Sequence, residues 1–187
     1  MKATHYLFAS ALVTATACHS RRPNDEAGLM PPASWESFAQ ERPACTGIAA
    51  QDSGWTSWVL DRPRSVLRLP PTAREVARAR RPDYREWELP DSGRVEVWIT
   101  DDPAVGMAAT RPWKIQLETE CSLSVAGHPG VIFQYSAVKD GQSDTSYGAT
   151  VTTLLARGLS FNAFLRAHTR GERASLVSAA SRLQLRQ

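Results

Sequence analysis

The residues of this 187-residue chain that could perform hydrolytic or metal-assisted chemistry are few and scattered. Gly141–Thr145 begins like a nucleophile elbow but lacks the last glycine of Gly-x-Ser-x-Gly, which predicts a solvent-exposed loop. His128 falls in a Gly/Pro turn and His168 at a strand end, and no two histidines stand at metal-ligand spacing. Asp101 and Asp102 precede a proline, which is more typical of a turn than of a cation site. We therefore predict no enzyme activity, no metal site and no cofactor.

Cysteine chemistry has more support in the sequence, and it begins near the N-terminus. A positive charge at Lys2 precedes an apolar run (residues 6–13) that is too short to span a bilayer. The small residues of Ala15–Ala17 then lead directly to Cys18. This order is that of a secretory signal peptide, which we predict for residues 1–17.

The junction at Cys18 resembles a bacterial lipoprotein lipobox, although Ala15 stands where that family prefers leucine. The resemblance implies that the Cys18 thiol carries a diacylglycerol and that the chain is cut just before it. Cleavage after Ala17 without lipid, which would release a soluble secreted protein, is the alternative. Because two or three acyl chains leave a bilayer slowly, the lipid would anchor the protein to an envelope membrane. His19 stands where aspartate resembles an inner-membrane retention signal, which favours the periplasmic face of the outer membrane.

The two remaining cysteines, Cys45 and Cys121, form a pair once Cys18 is assigned to lipid. An unpaired thiol is reactive in an oxidising compartment, so we predict a disulfide between them. Closing so long a loop stabilises a fold by about 4 kcal/mol in the chain-entropy account. Two free buried cysteines are the alternative.

Composition divides the rest of the chain into a tether and one domain. Residues 18–44 are rich in proline and polar residues, which predicts a flexible tether, although Trp35 and Phe38 could dock on the domain or begin it. Residues 45–187 have the length of a single domain with one core. The chain carries 22 Lys+Arg against 19 Asp+Glu, and so small an excess of positive charge implies no dedicated acidic partner.

Period-two alternation predicts an antiparallel meander of about five strands. In Arg94–Thr100 the valines and the isoleucine face one side, and the charged residues and Trp98 face the other. Two further runs joined by Gly127–Gly130 predict a hairpin. The expected strands of the meander are Arg94–Thr100, Ser122–Val125, Val131–Val138, Tyr147–Ala156 and Leu159–Ala167, and Ser65–Leu69 is predicted as a first strand upstream of them.

Two helices complete the predicted α+β fold. Glu172–Leu185 repeats apolar residues at helical spacing, which predicts an amphipathic helix that covers one face of the sheet. Thr72–Glu75 matches a capping box, which predicts a short helix from Thr72 to about Arg80, after the first strand.

This layout resembles the PsbP and DcrB group of α+β domains. The resemblance extends from about Ser65 to Leu185: a strand that ends in Leu-Pro-Pro, a tryptophan-bearing strand, a cysteine before a Gly-x-x-Gly hairpin, and a terminal helix. It implies an antiparallel sheet flanked by helices that binds or scaffolds and does not catalyse. Bacterial members are often lipoproteins. The resemblance assigns no site residue.

A row of arginines is the first of two candidate binding surfaces. Its members recur at near-helical spacing, and guanidinium groups bind phosphates, which would suit lipid headgroups or lipopolysaccharide. Acidic residues are interleaved with them, so a solvated, ion-paired surface is the alternative. We expect no nucleic-acid partner. The arginines are Arg74, Arg78, Arg80, Arg81 and Arg85.

Tryptophan is the second candidate, because an exposed indole ring can stack on a sugar ring. Of six tryptophans, Trp55 and Trp98 are the candidate ligand-binding residues, and packing in the core is the alternative for most of them. We therefore predict a cell-envelope lipoprotein whose non-catalytic domain binds or supports another envelope component, a protein or a glycan. A glycan- or small-ligand-binding module that uses exposed tryptophans is the alternative.

Overall fold

The computed structural model of the chain describes residues 32–48, 54–62, 64–76, 83–100, 113–139, 141–155 and 159–186. Several predicted features lie outside these residues: the signal peptide, Cys18, the Asp101–Asp102 pair, and Arg78, Arg80 and Arg81. The described residues form two helices and ten strands, which is the predicted α+β class with more strands than expected. The helices are α1 (Pro32–Gln40) and α2 (Arg170–Ser181). The strands are β1 (Thr56–Leu60), β2 (Ser65–Leu69), β3 (Arg74–Glu75), β4 (Tyr84–Glu88), β5 (Arg94–Thr100), β6 (Trp113–Val125), β7 (His128–Lys139), β8 (Thr145–Leu154), β9 (Ser160–Ala167) and β10 (Gln184–Leu185).

Seven of these strands form one antiparallel sheet in the order β3-β4-β5-β9-β8-β7-β6. A smaller sheet has the order β1-β2-β10. Strands β6 to β9 follow one another as the predicted meander does. Strand β5 differs from a simple meander, because it pairs with β9 along its whole length.

The alternation of β5 gives the large sheet two different faces. Val95 and Val97 are buried, whereas Arg94, Glu96 and Trp98 are half-buried, as the sequence predicted. We call the side that carries Val95 and Val97 the buried face, because the apolar residues of α2 join the same core cluster. We call the opposite side of β4, β5 and β9 the polar face.

Helix α2 confirms the predicted C-terminal helix and begins at a complete capping box. The Thr169 side chain accepts a hydrogen bond from the backbone N–H of Glu172, and the Glu172 carboxylate accepts from the backbone N–H of Thr169. The helix ends at Ser181, four residues earlier than predicted, because Gln184 and Leu185 pair with β2.

The short helix predicted from Thr72 to about Arg80 is wrong over the residues that the structure describes. Arg74 and Glu75 form β3, which pairs with Glu88 and Trp87. The Glu75 carboxylate also forms an ion pair with Arg85 on β4. Pairing with a distant strand therefore outweighs the local capping signal.

The predicted β6–β7 hairpin is confirmed, with a tighter turn than expected. Residues His128–Gly130 continue the ladder, so only Ala126 and Gly127 make the connection. Both have positive φ, 52° and 85°, which matches the type I′ turn that two-residue hairpins favour.

Helix α1 lies within the stretch that the sequence predicts as a tether, and it packs on the large sheet. Trp35 and Ala39 are buried against Val131 and Phe133 of β7. The Trp35 indole Nε1 donates a hydrogen bond to the carbonyl oxygen of Pro129 at 2.9 Å. Residues 32–44 therefore belong to the folded domain. Neither described helix is long and apolar enough to cross a membrane.

The predicted disulfide between Cys45 and Cys121 is present, and it fastens the segment after α1 to the edge strand β6. The Ser122 backbone N–H donates to the Pro43 carbonyl, and the Cys45 N–H donates to the Ser122 carbonyl, both at 2.8 Å. Cys121 belongs to the core cluster of the buried face, whereas α1 packs on the opposite side. The chain thus passes around the edge of the sheet here.

Candidate functional site

The polar face consists of side chains that strand register places in three cross-strand rows. In each row a β5 residue lies between a β4 residue and a β9 residue. The solvated face of an antiparallel sheet is usually polar, and these rows combine charged side chains with aromatic ones. The rows are Tyr84–Trp98–Asn162, Glu86–Glu96–Phe164 and Glu88–Arg94–Arg166.

The first row contains an aromatic pair. The rings of Tyr84 and Trp98 lie 4.2 Å apart between centroids and are tilted by 51°. The Tyr84 hydroxyl donates a hydrogen bond to Glu86 Oε2 at 3.0 Å. Burial, with the nearby Glu96 and Glu86 carboxylates, raises the pKa of Tyr84 above its ordinary value. The phenol therefore stays protonated and acts as a donor at neutral pH.

The charges of the polar face are paired with one another. Glu86 and Glu96 stand directly opposite on neighbouring strands, where two carboxylates would repel. Arg94 Nε lies 3.2 Å from Glu86 Oε1, and Arg94 Nη1 lies 3.7 Å from Glu96 Oε1. One guanidinium thus offsets the repulsion between two carboxylates. Arg94 remains 36% exposed and Glu96 30% exposed, so both can reach a partner.

Tyr135 of β7 extends the aromatic character of this side of the sheet across a glycine. A Cβ atom on Gly148 would lie 2.2 Å from Tyr135 Cε2, so only glycine leaves room for the ring. Burial raises the pKa of Tyr135 to about 12, with Arg166 opposing the rise and Glu96 adding to it. The electrostatic influence of Arg166 and Glu96 indicates that the phenol faces the charged rows.

A cleft of about 270 Å³ lies at the other end of β5. We call it the Trp55 cleft. Its apolar wall includes Trp55, Pro70 and Pro90. Its polar lining includes Thr72, Arg166, Glu172 and Ser175. About 16 Å of strand separates Gly93, which lines the cleft, from Trp98.

A charged cluster lies on the buried face between α2 and β6, apart from the ion pair of Arg85 with Glu75. Arg173 is buried, and its Nη1 donates to Glu118 Oε2 at 2.8 Å and to the Tyr135 carbonyl at 3.0 Å. The hydrogen bond from Arg170 contributes most to lowering the pKa of Glu118 to about 2, and Arg173 adds to it against the opposing effect of burial. These hydrogen bonds join α2 to the sheet, although the buried Nε of Arg173 has no hydrogen-bond partner among the described residues.

The structure separates the two candidate tryptophans onto different surfaces. Trp98 is half-buried on the polar face, and Trp55 is half-buried in the cleft. The sequence did not single out the partners of Trp98, although the alternation of Tyr84–Glu88 marks them. That alternation is disguised because Arg85 occupies one of its buried positions.

Of the arginine row, the structure describes only Arg74 and Arg85, and these two do not form the common surface that the sequence suggested. Arg74 is exposed on a strand, but Arg85 is only 6% exposed. The Arg85 guanidinium pairs with Glu75, and its Nη1 also donates to the Val59 carbonyl at 3.3 Å. Arg85 is therefore committed to the fold and cannot bind a phosphate.

The described histidines lie at the ends of secondary-structure elements. His128 begins β7 and His168 precedes α2, and within the described residues neither imidazole is hydrogen-bonded to a serine or a carboxylate. Over the same part of the chain, no group of three His, Cys, Asp or Glu side chains could hold a metal ion.

Comparison with solved structures identifies the fold. The chain is similar to the solution structure of cyanobacterial PsbP (CyanoP) from Synechocystis sp. PCC 6803, with a TM-score of 0.55. The similarity covers 76% of this chain and 98% of that one at 11% sequence identity. The domain therefore has a PsbP-like fold, as its layout implied. No protein-family model and no curated protein matches the chain.

Proposed function

We propose that this protein is a cell-envelope lipoprotein, anchored by lipid on Cys18, whose PsbP-like domain binds another envelope component without catalysing a reaction. The polar face is the observation that carries this proposal. It concentrates aromatic rings and charges on the side of β4, β5 and β9 that α2 does not cover, while α1 packs mainly on β6 and β7.

The pairing of its charges suits the polar face to recognition. Arg94 is held between Glu86 and Glu96, so the three charges are paired with one another. Aromatic residues and arginine are enriched among the contact residues of protein interfaces. A protein of the envelope is therefore the partner that we favour for this face.

The proposed anchor would leave the domain limited freedom. Residues 18–31 separate Cys18 from α1 and span at most about 50 Å when fully extended. Because α1 packs on the same side of the sheet as the polar face, the chain would approach the membrane from that side. We propose the periplasmic face of the outer membrane, on the strength of His19 after the cysteine.

The glycan- or small-ligand-binding alternative finds its support at a different place. Trp98 is already stacked by Tyr84, which leaves less of its ring for a sugar. Trp55 lines a cleft, and this residue carries the alternative.

Site-specific photocrosslinking in the native host tests the binding proposal. A photoreactive residue at Glu96 should capture a partner, and the same residue at Arg68, exposed on β2, should not. Arg94→Glu should weaken capture, because it places a third carboxylate beside Glu86 and Glu96. Equal capture from both positions, or capture that Arg94→Glu leaves unchanged, would contradict the assignment of the polar face.

The anchor is tested separately, by intact mass and membrane partitioning of wild type and Cys18→Ala. We expect a diacylglyceryl mass on wild type and loss of membrane association in the variant. Wild type that is soluble with an unmodified Cys18 would overturn the lipoprotein proposal.

A further inference from the structure

We infer that the Trp55 cleft is a binding site for one ring of an uncharged saccharide. This inference takes up the glycan alternative at a specific site. The cleft shares Arg166 with the third row of the polar face, but Trp98 lies about 16 Å along β5 from the cleft, so the two proposals can be tested separately. Three features of the cleft support the inference: its lining, the order of its polar side chains, and its charge and size.

The first step is the division of the cleft into an apolar and a polar side. A pyranose ring has one face of C–H bonds and a rim of hydroxyl groups. The Trp55 indole and the rings of Pro70 and Pro90 supply flat apolar surface for the first, and Leu176 lies with them. Thr72 and Ser175 supply hydroxyl groups for the second. An entirely apolar ligand would leave these polar groups without partners.

The second step is that the polar side is held in place. Glu172 Oε2 accepts hydrogen bonds from the backbone N–H groups of His168 and Thr169 at 3.0 and 3.1 Å. The Ser175 hydroxyl donates to the Gly171 carbonyl at 3.2 Å, which leaves its lone pairs to accept from a ligand. Side chains that are already ordered lose little conformational entropy when they bind.

The third step concerns charge and size. Arg166 and Glu172 contribute one charge of each sign, so the cleft favours neither an anion nor a cation. The Arg166 guanidinium can form bidentate hydrogen bonds with vicinal hydroxyl groups, and Glu172 Oε1 can accept a further one. A volume of about 270 Å³ is below the usual range for drug-sized ligands, which begins near 300 Å³. It suits one ring, such as the end of a glycan chain.

Saturation-transfer NMR on the purified full chain tests this inference, with maltose and N,N′-diacetylchitobiose as probes. The detergent must be zwitterionic, because a glycoside detergent would compete for the cleft. We expect at least one probe to bind with a Kd of about 1 mM, which is weak because a single ring offers little contact area. Saturation should be strongest on the C–H protons of one sugar ring.

Two variants locate the binding, and one matched variant serves as the control. Trp55→Ala should weaken binding about tenfold through loss of the stacking surface. Ser175→Tyr should fill the cleft and abolish binding, so a folding defect of the first variant leaves the test intact. Trp98→Ala should bind as wild type does.

Three results would overturn the inference. They are no saturation transfer to either probe, binding that survives both cleft variants, and tighter binding of glucose 6-phosphate than of the neutral probes. Binding that fails only in Trp98→Ala would move the saccharide to the polar face. Crosslinking from Glu96 is unaffected by any of these results, so the two proposals can fail separately.

Discussion

The two faces of the seven-stranded sheet differ most clearly along β5, where one strand serves both. Towards α2 it presents Val95 and Val97, which are almost completely buried. Away from α2 it presents Arg94, Glu96 and Trp98, which remain half-exposed; Arg94 and Glu96 form an ion pair, and Trp98 packs against Tyr84. The first set contributes to stability through apolar burial. The second set contributes little in that way, so binding is the better account of its composition.

Each face also contains an exception that tests this comparison. On the buried face, Arg173 and Glu118 bring charge beneath α2. On the opposite side, α1 covers Val131 and Phe133 with Trp35, so that part of the sheet is a second small core. The Cys45–Cys121 disulfide joins the two sides around the edge of β6. The three rows of aromatic and charged side chains therefore lie on β4, β5 and β9, which are far from α1 in the strand order.

A pair of tryptophans on neighbouring strands gives the most direct test. Trp87 is fully buried beside Trp58, whereas Trp98 is half-exposed beside Tyr84. We expect Trp87→Ala to lower the free energy of unfolding by about 4 kcal/mol, through lost burial and a cavity. Trp98→Ala should cost only about 1 kcal/mol, through loss of one ring contact. Urea denaturation followed by circular dichroism measures both values.

Equal costs for the two variants would show that the polar face is part of the core, and the proposed partner surface would lose its support. A reduced denaturant slope in Trp87→Ala would indicate a less compact native state and would need a second probe of unfolding.

Removing the disulfide should have the next largest effect. The bond closes a loop of 76 residues, and double replacement of Cys45 and Cys121 by alanine should cost about 3 kcal/mol at neutral pH. The effect acts mainly on the unfolded chain, so the packing of α1 should persist. Hydrogen exchange at the Trp35 indole, which is bonded to the Pro129 carbonyl, reports on that packing. Rapid exchange there, in a variant that remains folded, would show that the disulfide is needed to hold α1 on the sheet.

Local patterns predicted the parts of the fold that obey local rules. Strand β5 has strict alternation, and the β6–β7 hairpin has a Gly/Pro turn, so both were predicted from sequence. The C-terminal helix has regular apolar spacing, and cysteine pairing followed from an odd count together with the predicted oxidising compartment. Each of these signals lies within a few residues of the element that it describes, or depends on residue type alone.

Long-range contacts decide the parts that the sequence did not predict. Thr72–Glu75 has a capping signal, but pairing with Glu88 and Trp87 makes Arg74 and Glu75 a strand. Helix α1 has no acidic residue in its first turn and lies in proline-rich sequence, so only its contacts with β7 show why it forms. For the binding surfaces, the sequence identified Trp55 and Trp98. It could not reveal that Tyr84 and Phe164 share the face of Trp98, because register sets that arrangement.

The charged cluster on the buried face gives the last and smallest test. Glu118→Gln keeps the shape of the side chain but leaves buried Arg173 without a charged partner, and we expect it to cost about 2 kcal/mol at pH 7. The pKa of Glu118 is lowered from 4.5 to about 2 in the folded protein. Its contribution is therefore fully present above pH 4.5 and is lost as the pH falls towards 2, because the unfolded chain takes up the proton first. Wild type and Glu118→Gln should differ most at neutral pH and converge in acid.

Glu36→Gln, at an exposed position on α1, is the matched control and should run parallel to wild type. A constant difference between wild type and Glu118→Gln down to pH 2 would mean that Glu118 acts through packing and not through charge. The Glu118 ion pair would then add nothing electrostatic beneath α2, and the contrast with the polar face would be sharper than that ion pair suggests.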